Sequence, residues 1–318
     1  MKKKIGLLSV IGALLLCAVC TLAFAACGVS MPKGGMVTEE GWRSAIENTS
    51  EVSNYILNMS LSLEFEMEGD VWERDYSSSD YNGKIRKAVK GDHYQSGTMT
   101  VLFDKDNKFY GESESVNKTN IEEDGEKEFD NRKVMRKEYY ERGRKEDDLQ
   151  YYWRARSESE NSETTDGRRN SETYWSASET YSFMSNSISS MFNDTNFYET
   201  KDSERSKKII DLYDKFAYAD GIYTAKLYRR VSIHNSIYEN VGCIVSVSFD
   251  KTENCVIGIG IKTNGADNMW KYDEYDLAYS YKGESIYRIS NIGNTDVSVK
   301  ENNDIRSAVN KAKAKNDR

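Results

Sequence analysis

The chain has 318 residues, of which 44 are Lys or Arg and 52 are Asp or Glu, for a net charge of −8. That balance argues against nucleic acid as the main partner, because phosphate binding calls for a basic face. The length admits one large domain or two ordinary ones, and a chain with one proline and only two histidines, His93 and His234, is poorly furnished for His-based catalysis.

The N-terminus reads as an export signal. Lys2, Lys3 and Lys4 form a basic head, Ile5 to Ala26 is almost wholly apolar, and small residues precede Cys27. Phe24-Ala25-Ala26-Cys27 resembles a bacterial lipobox, in which the cysteine thiol is acylated and becomes the new N-terminus, with Phe24 standing where an aliphatic residue is usual. Residues 1–26 are then a lipoprotein signal peptide, and the charge of the remainder deepens to −11. Ordinary cleavage near Ala25, or an uncleaved helix long enough to span a bilayer, are the competing readings. Acyl chains contribute about 0.8 kcal/mol per buried methylene, so two or three of them on Cys27 give a stable anchor on the extracytoplasmic face of the membrane. Residues 27–37, with their glycines, read as a flexible tether.

Thr38 is placed to cap a helix whose first turn carries Glu39 and Glu40, and Trp42, Ala45 and Ile46 define one apolar face. A strict alternation follows. Tyr55, Leu57, Met59, Leu61, Leu63, Phe65 and Met67 occupy odd positions, and polar residues fill the even ones through Glu68. This predicts a strand with one dry face, long enough to require a strongly twisted or curved sheet. Further strands are expected at 84–90, 94–103 and 108–113, around a turn at 104–107. Residues 114–128 read as a charged loop, 132–141 and 149–157 as strands, 158–170 as an exposed hairpin tip or disordered loop, and 172–177 as a short strand. Helical spacing recurs at Tyr181, Met184, Ile188 and Met191, and again at Ile209, Leu212, Tyr213 and Phe216. Asp220-Gly221 marks a tight turn. Strands resume at 222–231, 243–249, 255–262, 275–281 and 285–289, Val297 and Val299 close the ordered pattern, and the basic, polar 301–318 reads as a helix or a frayed tail.

Cys243 and Cys255 are expected to flank a five-residue hairpin loop, Phe249 opposite Cys255 and Cys243 opposite Ile261. That separates the two sulfurs by about 20 Å, too far for a disulfide. Both share odd parity with Val245, Val247, Ile257 and Ile259 and are expected as buried free thiols. No zinc-ligand spacing, CxxC, GxSxG, phosphate-binding loop or dinucleotide fingerprint is present after Cys27. Neither an enzyme nor a cofactor is expected. The adjacent aromatics Tyr139-Tyr140, Tyr151-Tyr152-Trp153 and Tyr174-Trp175 read as strand residues on both faces of a sheet rather than as a carbohydrate platform.

One domain is therefore expected over 38–300, of class α+β and mainly antiparallel β. Its layout resembles the LolA/LppX-like lipoprotein superfamily. Cys27, the Trp42 helix, the Tyr55–Met67 strand, the two later helical patterns, Phe216–Tyr228, the Val241–Lys262 hairpin and the closing Ile286–Val299 carry the resemblance. The resemblance implies a long curved sheet, an unclosed half-barrel packed on a few helices, whose concave face holds acyl chains. Leu57, Met59, Leu61, Leu63, Phe65 and Met67 would line it, joined by Val245, Val247, Ile257 and Ile259. The implied partners are the membrane, through the N-terminal lipid, and a hydrophobic small ligand bound without covalent chemistry. The alternative is a surface lipoprotein for adhesion, sensing or assembly, with a solid core.

Overall fold

The computed structural model describes residues 38–49, 52, 54–74, 83–104, 108–146, 149–180, 196–234, 237–250, 255–271, 274–293 and 297–316. The signal, lipobox and tether, and the helical pattern at 181–191, lie outside them. The chain from Val37 onward forms one compact unit that contains every packed cluster reported below.

Helix α1 (Glu39–Thr49) begins as its sequence dictates. Thr38 Oγ1 accepts the Gly41 N–H at 3.1 Å, and Glu39 and Glu40 lie where the helix dipole favours acids. Trp42, Ala45, Ile46 and Thr49 form its buried face. The strands follow in chain order: β1 (Tyr55–Arg74), β2 (Lys84–Phe103), β3 (Phe109–Glu123), β4 (Glu126–Glu146), β5 (Leu149–Thr164) and β6 (Gly167–Thr180). A two-residue pair, β7 (Asn196–Phe197) with β8 (Lys207–Lys208), leads into two short 3-10 turns, Ile209–Asp211 and Tyr213–Lys215. Then come β9 (Ala217–Ala219), β10 (Ile222–His234), β11 (Ile237–Asp250), β12 (Cys255–Lys271), β13 (Tyr275–Ser290) and helix α2 (Asn303–Asn316).

Eleven strands form one antiparallel sheet in the order β6-β5-β4-β3-β2-β1-β13-β12-β11-β10-β9. Two meanders are joined where β1 pairs with β13, from Ile56↔Ser290 to Val71↔Tyr275. The sheet is curved and unclosed, with β6 and β9 at its ends. Its concave face wraps α1 and the 3-10 turns, because Trp42, Ile209 and Leu212 pack in one cluster with Leu57 of β1, Tyr140 of β4 and Tyr223 of β10. Trp42 is the centre of this cluster. Its ring meets Phe216 at 4.8 Å and Phe249 at 5.2 Å, and its indole N–H donates to the Ile209 carbonyl at 3.3 Å. On the opposite face α2 packs Ile305 and Val309 against Tyr139 and Ala155.

Several expectations are corrected. Residues 114–128 are not a loop but the ends of β3 and β4, joined by a turn at Asp124-Gly125 in which both residues have positive φ (50° and 86°). Residues 158–170 are mostly strand, in the β5–β6 hairpin. Segments expected as separate strands within 84–103 and within 275–289 are single strands, β2 and β13. The pattern at 209–216 is 3-10 rather than α. The polar tail is an ordered helix with two buried residues.

The cysteine hairpin is also shifted. Cys243 faces Thr263 rather than Ile261, and Cys255 faces Asp250 rather than Phe249, because a bulge at 248–249 changes the register. Both cysteines are buried free thiols.

Candidate functional interior

The register sorts the concave face into rows that run across the strands. One row places Leu227, Cys243, Thr263, Gly283, Leu63, Gln95 and Asn117 side by side. The next, towards α1, holds Ala225, Val245, Ile261, Ser285, Leu61, Gly97 and Ser115. Small residues thus flank Leu61 on both sides.

Along the strand axis the interior has three zones. The α1 end is filled. Leu57, Val245, Val247, Ile259 and Ile261 belong to the Trp42 cluster, and Val245 and Val247 are 0% exposed. At the far end a second cluster gathers Met67 and Val71 of β1, Val89 of β2, and Val231, Ile233 and Val241 of the β10–β11 hairpin. The end of that hairpin lies over β1 and β2, because Val231 and Ile233 pack with Val71 and Val89, and His234 and Glu73 line one groove there. Lys87 bridges Glu73 (2.9 Å) and Glu123 (2.6 Å) there. Burial holds the His234 pKa below its ordinary value.

Between these ends the apolar face is open. Leu63 is half-buried and Leu61 is 37% exposed, whereas Met59 packs against the Trp42 cluster, Phe65 against the far cluster, and Leu227, Cys243, Thr263 and Ile261 in the same rows of β10 to β12 are buried. Phe65 meets Tyr281 edge-on at 6.2 Å, and the Tyr281 ring leans over Gly283, where a Cβ would lie 3.2 Å from it.

Strands β4–β6 make the rest of the concave face polar. Glu138, almost fully buried, accepts from Arg154 at 2.5 Å and from the Tyr140 hydroxyl at 3.3 Å. Arg136 and Arg156 both donate to Glu158, whose carboxyl is held below the usual range chiefly by the Arg156 hydrogen bond. Arg132 pairs with Asp130 and Glu160. This ladder sets each arginine against a carboxylate, although Asp130 Oδ1 and Arg154 Nε are buried without a hydrogen-bond partner.

Of the residues expected to line a ligand, Leu61 and Leu63 face the open middle, while Met59 and Phe65 stand at its two edges, packed against the Trp42 cluster and the far cluster. Leu57, Val245, Val247 and Ile259 are packed core, and Met67 belongs to the far cluster. Ile257 is the bulged residue of β12, absent from the register that holds Ile259 opposite Val247. Sequence reasoning missed Tyr281, Gly283 and Gly97, which are part-exposed beside the open middle. Their signal is only the odd or even parity that pairing with β1 imposes, and that pairing is not written in any one strand.

An outer groove beside Glu66, Glu68, Lys90 and Asp92 is acidic and lies away from this interior. Among the described residues no group of three or more His, Cys, Asp or Glu is arranged to hold a metal ion, and no helix is long and apolar enough to cross a membrane.

No family model matches the chain, and no curated protein matches it. Among solved structures, the translocator domain of the autotransporter NalP from Neisseria meningitidis aligns at 8% identity and TM-score 0.22, over 78% of this chain and 94% of that one. The β domain of the Bordetella autotransporter BrkA aligns at 10% identity and TM-score 0.23, over 73% and 98%. A β-barrel-like protein of a domain of unknown function from Brucella abortus aligns at 9% identity and TM-score 0.18, over 75% and 98%. Scores this low describe shared strand content rather than a shared course of the chain.

Proposed function

We propose that this protein is an extracytoplasmic bacterial lipoprotein, anchored through acylated Cys27, that carries a hydrophobic acyl-chain ligand in the open middle of its curved sheet. No covalent step belongs to this role. Binding follows from apolar area removed from water, about 0.8 kcal/mol per methylene. The observation that supports it is the part-exposed pair Leu61 and Leu63 between two well-packed ends that take in Met59 and Phe65. A folded chain that meant only to be rigid would gain by burying that pair as it buries Val245 and Val247.

A second reading, a surface lipoprotein for adhesion, sensing or assembly, draws support from the same packed ends. One experiment separates the two. Residues 38–318 are purified, their bound lipids are extracted and identified by mass spectrometry, and the stripped protein is titrated with the uncharged probe Nile red. The carrier reading expects co-purified acyl chains and saturable probe fluorescence that Leu61→Trp abolishes. An empty protein that takes up no probe supports the solid-core reading instead.

A further inference from the structure

The open middle has one charged neighbour whose chemistry is unspent. Arg229 lies on the concave parity of β10, between the buried Leu227 and Val231, and is only half-exposed. Its row runs through Val241 to Gly265, Tyr281 and Phe65. Gly265 belongs beside Val241, since a Cβ there would fall 2.6 Å from Val241 Cγ1. Burial raises the pKa of the Cys243 thiol to about 12 and raises that of the Tyr281 phenol, and at both groups the Arg229 charge opposes the shift.

On the other wall Arg132, Arg136, Arg154 and Arg156 each meet a carboxylate. Arg229 has no ion-pair or hydrogen-bond partner among the described residues. The carboxylates one row further, Glu239 and Asp267, are both engaged by Lys201. A half-buried guanidinium without a counter-ion beside apolar surface is complementary to an anion that carries its own apolar tail.

We propose, resting on the carrier reading above, that the occupant is a long-chain fatty acid, its carboxylate held by Arg229 and the Tyr281 hydroxyl and its chain laid over Leu63 and Leu61 towards Met59. The dimensions agree. The Tyr281 hydroxyl lies over Gly283, 3.7 Å from where a Cβ would stand, and Gly283 is directly opposite Leu63. From Leu63 to Met59 the strand advances about 14 Å, close to half of the roughly 30 Å of hydrocarbon that two opposed acyl layers fill. Gly97 and Ser115, both part-exposed, leave room on the β2 side of Leu61 for a chain one methylene wide. One such cation without a carboxylate partner among the described residues matches a monoanionic headgroup.

The test compares laurate with 1-dodecanol, the same chain with and without charge, each displacing Nile red from stripped residues 38–318. Laurate is expected to bind more tightly than the alcohol. Arg229→Gln is expected to lower the laurate-to-dodecanol affinity ratio by about tenfold to a hundredfold, the range for a lost charge-assisted hydrogen bond. Arg229→Lys should restore part of that ratio, and Lys226→Gln, which removes a cation from the outer face of the same strand, should leave it unchanged. Equal affinities for acid and alcohol, or a ratio indifferent to Arg229→Gln, would overturn the proposal while leaving the carrier reading intact. Displacement by phosphatidylglycerol vesicles but not by monomeric laurate would overturn it as well. If neither laurate nor the alcohol displaces the probe, or the probe itself fails to bind, the carrier reading falls and this inference with it.

Discussion

Trp42 shows how much of the filled end depends on one side chain. It is fully buried, four aromatic rings lie within 6 Å of its own, and its N–H is satisfied by a carbonyl of a segment far along the chain. Removing it empties a cavity that α1, β10 and β11 cannot collapse around together. Trp42→Ala is therefore expected to cost about 3–5 kcal/mol, measured as a fall in the urea midpoint of residues 38–318. Such residues were legible in advance. Trp42, Ala45 and Ile46 announce a buried helical face by spacing alone, and Ile209, Leu212 and Phe216 are all buried as their spacing implied, although their backbone is 3-10 rather than α. Spacing of three and four reports which side faces the core and does not distinguish the tighter turn. The lining residues of β13 were not legible, because Gly283 or Tyr281 acquires meaning only from the strand that lies beside it.

At the scale of elements, β1 was readable because one of its faces is apolar and the other polar over most of its length. Strands β3 to β6 were readable only in part, at 108–113, 132–141, 149–157 and 172–177, because both faces of their remaining lengths carry charge. Their concave side is a ladder of carboxylate–arginine pairs, and a pattern of Arg against Glu across strands has no signature within a single strand. Strand β13 pairs with β1 across more than two hundred residues of chain, so the join between the two meanders had no local signal either.

The C-terminal helix was ambiguous in composition, and tertiary contacts decide it. Glu301 accepts from Lys108 at 2.8 Å and from the Tyr139 hydroxyl at 2.9 Å, and Lys313 reaches Glu141 at 2.6 Å. The hydrogen bond from Lys108 is the main cause that holds the Glu301 carboxyl below its ordinary pKa. A carboxyl whose pKa is lowered on folding stabilises the fold above the unfolded value, about 4.3, and that contribution disappears as pH falls through the folded value. Helix α2 is thus expected to loosen from the sheet between about pH 5 and pH 3, seen as falling backbone order parameters over residues 303–316. Glu301→Gln should loosen it at neutral pH and flatten that acid response. Unchanged order in the variant would place the attachment in Ile305 and Val309 alone.

The whole molecule divides along its strands. One end is plugged by helix and 3-10 turns, the other by a folded-over hairpin and a lysine between two carboxylates, and the sheet between them is one layer thick over Ser60, Ser62 and Glu64. Closed ends with an open middle are what a carrier of an acyl chain requires, since the chain must be shielded yet admitted. The net negative charge keeps the outer surface away from anionic headgroups, which leaves attachment to the proposed lipid on Cys27.

The central claim is that the middle of this interior is accessible and occupied by ligand rather than by protein. Thiol reactivity along β1 tests it most directly, because Cys243 and Cys255 are buried and provide a silent background. Cysteine is placed singly at Leu57, Leu61 and Met67, and the rate of reaction with a small maleimide is measured with and without saturating 1-dodecanol. The account predicts fast labelling at Leu61→Cys alone, slowed at least tenfold by the alcohol, with Leu57→Cys and Met67→Cys protected throughout. A Leu61→Cys thiol as inert as the one at Leu57→Cys, or one that reacts equally fast when the alcohol is present, would contradict it.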